Sequence, residues 1–198
     1  MTRKIVFATG NPGKLREAGE ILGEGFEIVS AAAAGVPDDI PETGTTLQEN
    51  ALIKAEYIWG KTGLDCFADD TGLEVDALGG APGIHSARYA GENKDFQANI
   101  DKLLRELETV PAPDRKARFR TSVALILKGE RHFFDGVMEG GIATERHGTG
   151  GFGYDSVFIP EGCSGLTAAE ISEEEKNAIS HRGKALRAMA GFLKGLSE

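Results

Sequence analysis

The first thirty residues change their apolar period twice, and this narrows the folds open to the chain more than any other feature. Arg3–Thr9 is a short β-rich run in which Ile5, Val6 and Phe7 are contiguous, as in a buried strand. It stops at Gly10-Asn11-Pro12, where Asn11 suits an N-cap and Pro12 the first helical position. Leu15, Ala18 and Leu22 then recur at spacings of three and four until Gly23–Gly25, and Phe26–Ser30 predicts a second strand. Thr46-Leu47-Gln48-Glu49 has capping-box form and opens a helix with Leu47, Ala51, Ala55 and Ile58 on one face. Cys66-Phe67-Ala68 reads as a buried strand that runs into Asp69-Asp70 and breaks at Gly72. Leu73–Leu78 reads as another strand, ended by Gly79–Gly83.

Phe96, Ile100, Leu103, Leu104 and Leu107 mark a third helix. Ala117–Leu127 and Arg131–Thr144 predict two long strands joined at Lys128-Gly129-Glu130, and Gly148–Gly153 is a glycine-rich loop leading into a strand at Ser156–Ile159. Ser172-Glu173-Glu174-Glu175 is a second capping-box signature, and Ala185–Leu196 a terminal amphipathic helix. Early alternation of strand and helix, with an antiparallel middle, indicates an α/β fold with a mixed sheet. No repeat, charge run or linker divides the chain, and the loop-like stretch Val36–Thr45 is too short and too near the start to separate domains. Residues 1–198 therefore read as one domain.

Composition removes several function classes. The longest apolar runs, such as Val123–Leu127 and Ala31–Ala34, fall far short of the ~20 residues of a membrane span. No basic start followed by an apolar run marks a secretory signal. Cys66 and Cys163 make no disulfide framework and have no zinc-ligand spacing around them. These features point to the cytosol and away from membranes. With 22 Lys+Arg against 31 Asp+Glu, the net charge of −9 argues against a nucleic-acid partner, which needs a broad basic face. A small anionic ligand held by a few local cations remains compatible. The 27 glycines are about double the usual ~7%, which suits close backbone approach to a ligand or tight turns.

Two tempting motifs fail on context. Gly10–Lys14 lacks the upstream glycine of a P-loop, and Leu15 stands where its Ser/Thr belongs. Gly148-Thr149-Gly150-Gly151-Phe152-Gly153 matches a dinucleotide fingerprint by letter, but the following residues read as strand rather than helix. Thr9–Lys14 still combines a strand end, a glycine turn and a helix N-terminus. That arrangement presents N–H groups and the helix dipole to an anion, and equally suits a capped helix with a surface lysine. Asp69 and Asp70 are adjacent on an extended chain, so their carboxylates point to opposite sides. One faces a ligand and the other anchors structure, with Glu42 and Glu49 as candidate companions at a Mg²⁺ ion, unless the pair simply caps a turn. Lys54 lies one residue off the apolar stripe, at a cleft edge or snorkelling to solvent. Ser180-His181-Arg182 fits a ligand-binding polar cluster better than a nucleophilic triad.

The motifs occur in a telling order: Thr9–Lys14, Glu49-Asn50-Ala51 with Lys54-Ala55, Ala68–Leu73, Gly79–Ile84 with Ser86–Tyr89, Gly150–Asp155, Thr167–Glu170, and Lys176 with Ser180–Gly183. Together they strongly resemble the inosine triphosphate pyrophosphatase family, house-cleaning enzymes for ITP, dITP and XTP, from residue 3 to about 190. The resemblance implies an elongated mixed sheet with two lobes around a cleft, and a homodimer. It implies hydrolysis between the α and β phosphorus with Mg²⁺, or Mn²⁺, as cofactor. Carried onto this chain, Thr9, Gly10, Asn11, Pro12, Gly13 and Lys14 would cradle phosphates and Lys54 would reach the phosphate chain. Asp70 would be the general base, with Asp70, Asp69 and Glu42 at the metal, and Thr71 would touch the substrate. Phe152, Gly153, Tyr154, Asp155, Lys176, His181 and Arg182 would hold base and sugar. Thr71 stands where the family usually has Ser, and Ser156 where it has Pro.

Overall fold

The computed structural model describes residues 2–37 and 40–196. Its elements run β1 (Arg3–Phe7), α1 (Pro12–Leu22), β2 (Phe26–Ser30), α2 (Leu47–Thr62), β3 (Cys66–Val75), β4 (Pro82–Gly83), α3 (Phe96–Glu106), β5 (Lys116–Leu127), β6 (Glu130–Ile142), β7 (Phe158–Pro160), α4 (Glu173–Ile179) and α5 (His181–Gly195). Hydrogen-bonded neighbours follow the order β2-β1-β3-β5-β6-β7, with β4 on β3. β1 is parallel to β2 and β3, whereas β4 and β7 are antiparallel to β3 and β6. The α/β fold with a mixed sheet is therefore as expected. Positions 38 and 39 of the Val36–Thr45 loop lie outside the described residues, as do positions 1, 197 and 198 of the domain expected over 1–198. Among the described residues no helix is long and apolar enough to cross a membrane.

The chain forms two compact units, one from Met1–Asp70, Thr121–Gly136 and Arg182–Glu198, the other from Thr71–Arg120 and Val137–His181. In the first unit, strand alternation builds a core on each face of the sheet. Ile5, Phe7, Phe67, Val123, Leu125 and Leu127 face one way and pack against Ala18 and Leu22 of α1 and Ala185, Leu186, Met189 and Leu193 of α5. Phe7 and Phe67, paired in register, stack with centroids 4.3 Å apart, an arrangement that contributes ~1 kcal/mol beyond area burial. Val6, Cys66, Ala68, Ala124 and Ile126 face the other way, onto Ala51, Ala55 and Ile58 of α2. Burial pushes the Cys66 thiol up to about 12, which keeps it protonated and inert. In the second unit, Ile100, Leu103 and Leu107 of the third helical segment pack on Leu73, Val75, Ala117, Phe119, Tyr154 and Phe158.

Four expected boundaries shift. β1 ends at Phe7, because the Thr9 N–H turns back to the Phe7 carbonyl at 2.8 Å. β3 does not break at Gly72 but runs unbroken from Cys66 to Val75. Asp-Asp-Thr-Gly favours a turn locally. Here Leu73 and Glu74 pair with Gly83 and Pro82, and the Leu73 N–H donates to the Ser86 hydroxyl at 2.8 Å, which holds the strand extended. The strand expected at Ser156 begins at Phe158, since the Val157 and Phe158 N–H groups both bond the Tyr154 carbonyl at 3.0 Å in a turn. α5 begins at His181 rather than Ala185, with Gly183 inside its first turn. There a glycine costs only ~1 kcal/mol against alanine.

Candidate active site

The cap at the start of α1 forms as its sequence requires. The Asn11 side chain accepts from the Gly13 and Lys14 N–H groups at 2.8 and 3.3 Å, and Thr9 Oγ1 accepts from the Asn11 N–H at 3.1 Å. The expectation of free N–H groups at this turn is therefore corrected. Three of them are satisfied locally, and what the turn offers an anion is the positive helix end and the Lys14 ammonium.

Lys14 projects from the first turn of α1 onto Asp69 of β3, its Nζ 3.0 and 2.9 Å from the two carboxylate oxygens. Arg182, second residue of α5, donates Nε to Asp69 Oδ2 at 3.0 Å and places Nη1 3.5 Å from Glu17 Oε2 on α1. The Asp69 side chain is 2% exposed. Burial alone would raise its pKa, but Lys14, Arg182 and Lys54 outweigh that and hold it well below the usual carboxylate range. Burial lowers Lys14 from its ordinary value; Asp69 opposes this, and the Arg182 guanidinium adds to it. One carboxylate thus serves two buried cations, and Lys14 is left with less than a full counter-charge.

Asp70 points to the other face, as its parity with Ala68 and Cys66 requires. Lys54, on α2, places Nζ 2.7 Å from Glu42 Oε1 and 3.5 Å from Asp70 Oδ1. Burial works against the Lys54 ammonium, but Asp70, Asp69 and Glu42 outweigh it and raise its pKa. Asp70 is pushed up to about 6, first by burial and then by Glu42, against the opposing pull of Lys54 and the Asn50 side-chain hydrogen bond. Asn50 Oδ1 also accepts the Gly44 N–H at 2.8 Å, tying the loop that carries Glu42 to α2. A side chain at Gly44 would meet Glu49 Cβ at 2.7 Å and Asn50 Oδ1 at 2.8 Å, so this approach requires glycine. Thr46 caps Glu49 N–H at 3.1 Å, but the Glu49 carboxylate takes the N–H and hydroxyl of Thr45. The expected box closes one residue early, which leaves Glu49 on the cap rather than beside the aspartates.

The remaining expected residues belong to the second unit. Asp155 Oδ2 accepts the Phe152 N–H at 2.9 Å and pairs with Lys176 Nζ at 2.5 Å. The same ammonium lies 5.4 Å from the Phe152 ring centroid, and the ring is 57% exposed. Tyr154 is buried and donates its hydroxyl to the Ser86 carbonyl at 2.8 Å, so it supports the loop from beneath. His181 stacks on Phe119, with centroids 4.9 Å apart. Thr71 stands just past the aspartates on β3. Gly151 has φ +71, and a Cβ there would collide with the Asp155 carboxylate. Gly151→Ala is expected to raise KM about tenfold or more while melting shifts little, read by steady-state kinetics beside a thermal melt.

Residues 5–192 match the family model described as the Ham1 family. The chain belongs to the Ham1 family. A relative from Porphyromonas gingivalis, named dITP/XTP pyrophosphatase, is 57% identical over 190 residues, covering 96% of this chain and 97% of the relative. The solved Ham1 protein of Staphylococcus aureus superposes with TM-score 0.90 at 39% identity, over 98% of this chain and 99% of that one. The Coxiella burnetii HAM1 protein gives the same TM-score at 42% identity, over 98% and 100% of the two chains. The motif resemblance drawn above thus holds along essentially the whole chain.

Within this Ham1 chain, the first unit gathers Thr9–Lys14, Glu42, Lys54, Asp69, Asp70 and Arg182, and the second gathers Thr71, Phe152–Asp155, Lys176 and His181. Two participants were not singled out from sequence. Glu17 backs Arg182, and its signal was the i, i+3 spacing from Lys14 on one helix face. Asn50 binds both Asp70 and the Glu42 loop, and its signal was the i, i+4 spacing to Lys54.

Proposed function

We propose that the protein hydrolyses non-standard purine nucleoside triphosphates, dITP, ITP and XTP, to the monophosphate and pyrophosphate, so keeping them out of DNA and RNA. The observation that carries this reading is the division of labour between two adjacent carboxylates. Asp69 is locked between Lys14 and Arg182, while Asp70 is buried, raised to about 6 and shared with Lys54. Names borne by relatives across nearly their whole length agree with it.

In this reading Glu42 and Asp70 would hold Mg²⁺, or Mn²⁺ in its place, whereas Asp69, given to the metal by the resemblance, is corrected to the counter-charge of Lys14 and Arg182, which occupy its oxygens. The fit rests on the donor set: two hard-oxygen carboxylates that repel one another and share a single lysine. Among the described residues no group of three or more His, Cys, Asp or Glu side chains forms a cage made by protein alone, so substrate phosphates and water would complete the coordination. Bound there, the ion would supply charge neutralisation at the phosphate oxygens. Asp70, ionised at neutral pH and close to it in pKa, orients the attacking water and takes its proton. Lys14, under-compensated by Asp69, receives the phosphates at the positive end of α1, and Lys54 follows the chain as phosphate replaces its contact with Asp70. Phe152, Gly153, Asp155, Lys176 and His181 bind base and sugar, whereas two residues given to that task by the resemblance are corrected: Arg182 holds Asp69, and Tyr154 supports the loop through Ser86. We place the enzyme in the cytoplasm as a homodimer, with neither nucleic acid nor membrane as partner.

The test is a turnover panel with Mg²⁺ over dITP, ITP, XTP and the ordinary nucleotides, with pyrophosphate and orthophosphate scored separately. Pyrophosphate release confined to the inosine and xanthine nucleotides is expected; orthophosphate release or a pyrimidine preference would overturn the reading. Lys14→Ala is expected to raise KM for every triphosphate about tenfold or more, with the ratio of dITP to dATP turnover little changed. A change of base preference instead, in the same assay, would remove Lys14 from the phosphate site.

A further inference from the structure

Phe96 is the first residue of α3, directly after the N-cap Asp95, whose carboxylate accepts the Gln97 and Ala98 N–H groups at 2.9 and 3.1 Å. The apolar stripe of this helix sinks into the core, with Ile100 1% and Leu103 0% exposed. Phe96, one turn before Ile100, keeps 42% of its surface in solvent. Core packing therefore does not account for the ring. What it approaches is Gly153: a Cβ built there would lie 4.0 Å from Phe96 Cδ1 and Cε1. α3 also holds the other end of this loop, since Arg146 donates to the Gln97 carbonyl at 3.1 Å and to Asp101 at 2.8 Å. Phe152, adjoining Gly153, is itself 57% exposed. Two open phenylalanine rings from different elements of the second unit thus adjoin one residue that has no side chain.

We propose that Phe96 is a base-contacting residue, which supplies a second aromatic surface beside Phe152 for the heterocycle of the nucleotide. The inference rests on the substrate reading above and adds a residue to it. A purine presents a flat π face and little charge, so exposed rings bind it by stacking and by removal of apolar area from water. Carboxylates and ammonium groups nearby, Asp155 and Lys176, are already paired with each other. Affinity for the ring system must then come largely from the aromatic surface. Phe96 lies on a helix pinned at both its cap and Arg146, so the backbone that carries the ring is held in place before the substrate arrives.

The experiment measures KM and kcat for dITP with Mg²⁺ in the wild type, Phe96→Ala, Phe96→Leu, Phe96→Tyr and Phe152→Ala, together with inhibition by inorganic tripolyphosphate. Phe96→Ala is expected to raise KM about tenfold, with a smaller change in kcat and an unaltered inhibition constant for tripolyphosphate, which has no base. Phe96→Tyr keeps the π face and stays near wild type. Phe96→Leu keeps apolar bulk alone and follows alanine, and the Tyr/Leu pair carries the test if the alanine variant fails to fold. Unchanged KM in Phe96→Ala beside a raised KM in Phe152→Ala would overturn this inference alone. So would a leucine variant equal to wild type, or a parallel loss of tripolyphosphate binding, since either makes Phe96 a packing residue. A wild type that does not turn over dITP would overturn the substrate reading itself.

Discussion

Asp70→Asn lowers kcat for pyrophosphate release by at least ~10², the usual share of a general base, while melting stays near that of the wild type. The substitution keeps shape and hydrogen-bonding capacity but removes the proton acceptor. It is structurally mild because Lys54 retains Glu42 at 2.7 Å once the Asp70 carboxylate is gone. Burial raises Asp70 to about 6, so its ionised form opposes folding at neutral pH and removing the charge takes no stability from the fold. Single-turnover kinetics with dITP, read beside a thermal melt, check the prediction. Turnover within about tenfold of wild type would remove Asp70 from the base role.

Asp69→Asn gives the opposite signature, although it stands one residue away. Its carboxylate is the common counter-charge of Lys14 and Arg182 inside the protein. Taking it away leaves two buried cations facing one another, with Glu17, 3.5 Å from Arg182, the remaining anion paired with them among the described residues. Breaking a buried pair from one side costs about 3–5 kcal/mol, which for a chain of this size lowers the melting temperature by roughly 10 °C. Chemical denaturation gives the free energy directly, through an unchanged slope and a lower midpoint. A variant as stable as wild type would mean that Lys14 or Arg182 finds another partner.

Much of this pair is legible in the sequence. Adjacent residues on an extended chain diverge, and Asp69 and Asp70 do so, one toward α1 and α5 and the other toward α2. The Asn11 cap, Pro12 and the stripes of the first three helices are local features and follow from local rules. What was misread depended on distant partners. Asp-Asp-Thr-Gly looks like a turn until pairing with Gly83 and Pro82 and the Ser86 hydroxyl hold it straight. By contrast, the Asn11 cap expected from sequence itself takes the Gly13 and Lys14 N–H groups, so it could not hold together with open N–H groups at Thr9–Lys14. Glu17 and Asn50 were passed over because each is an ordinary polar residue on a helix until its counterpart from another element is known.

The unbroken pleat of β3 imposes a constraint on how this chain can vary. Roles here are assigned by odd or even position along the strand, not by which carboxylate is the stronger acid. A one-residue insertion just ahead of Asp69 would move it to the place of Asp70, facing Glu42, and move Asp70 one place past the point where Lys14 and Arg182 meet a carboxylate, leaving those cations without their anion. The segment can therefore drift by substitution at its apolar positions, but length changes between Cys66 and Asp70 are closed to it. Loops elsewhere in the chain carry no such parity, and there insertions and deletions can accumulate.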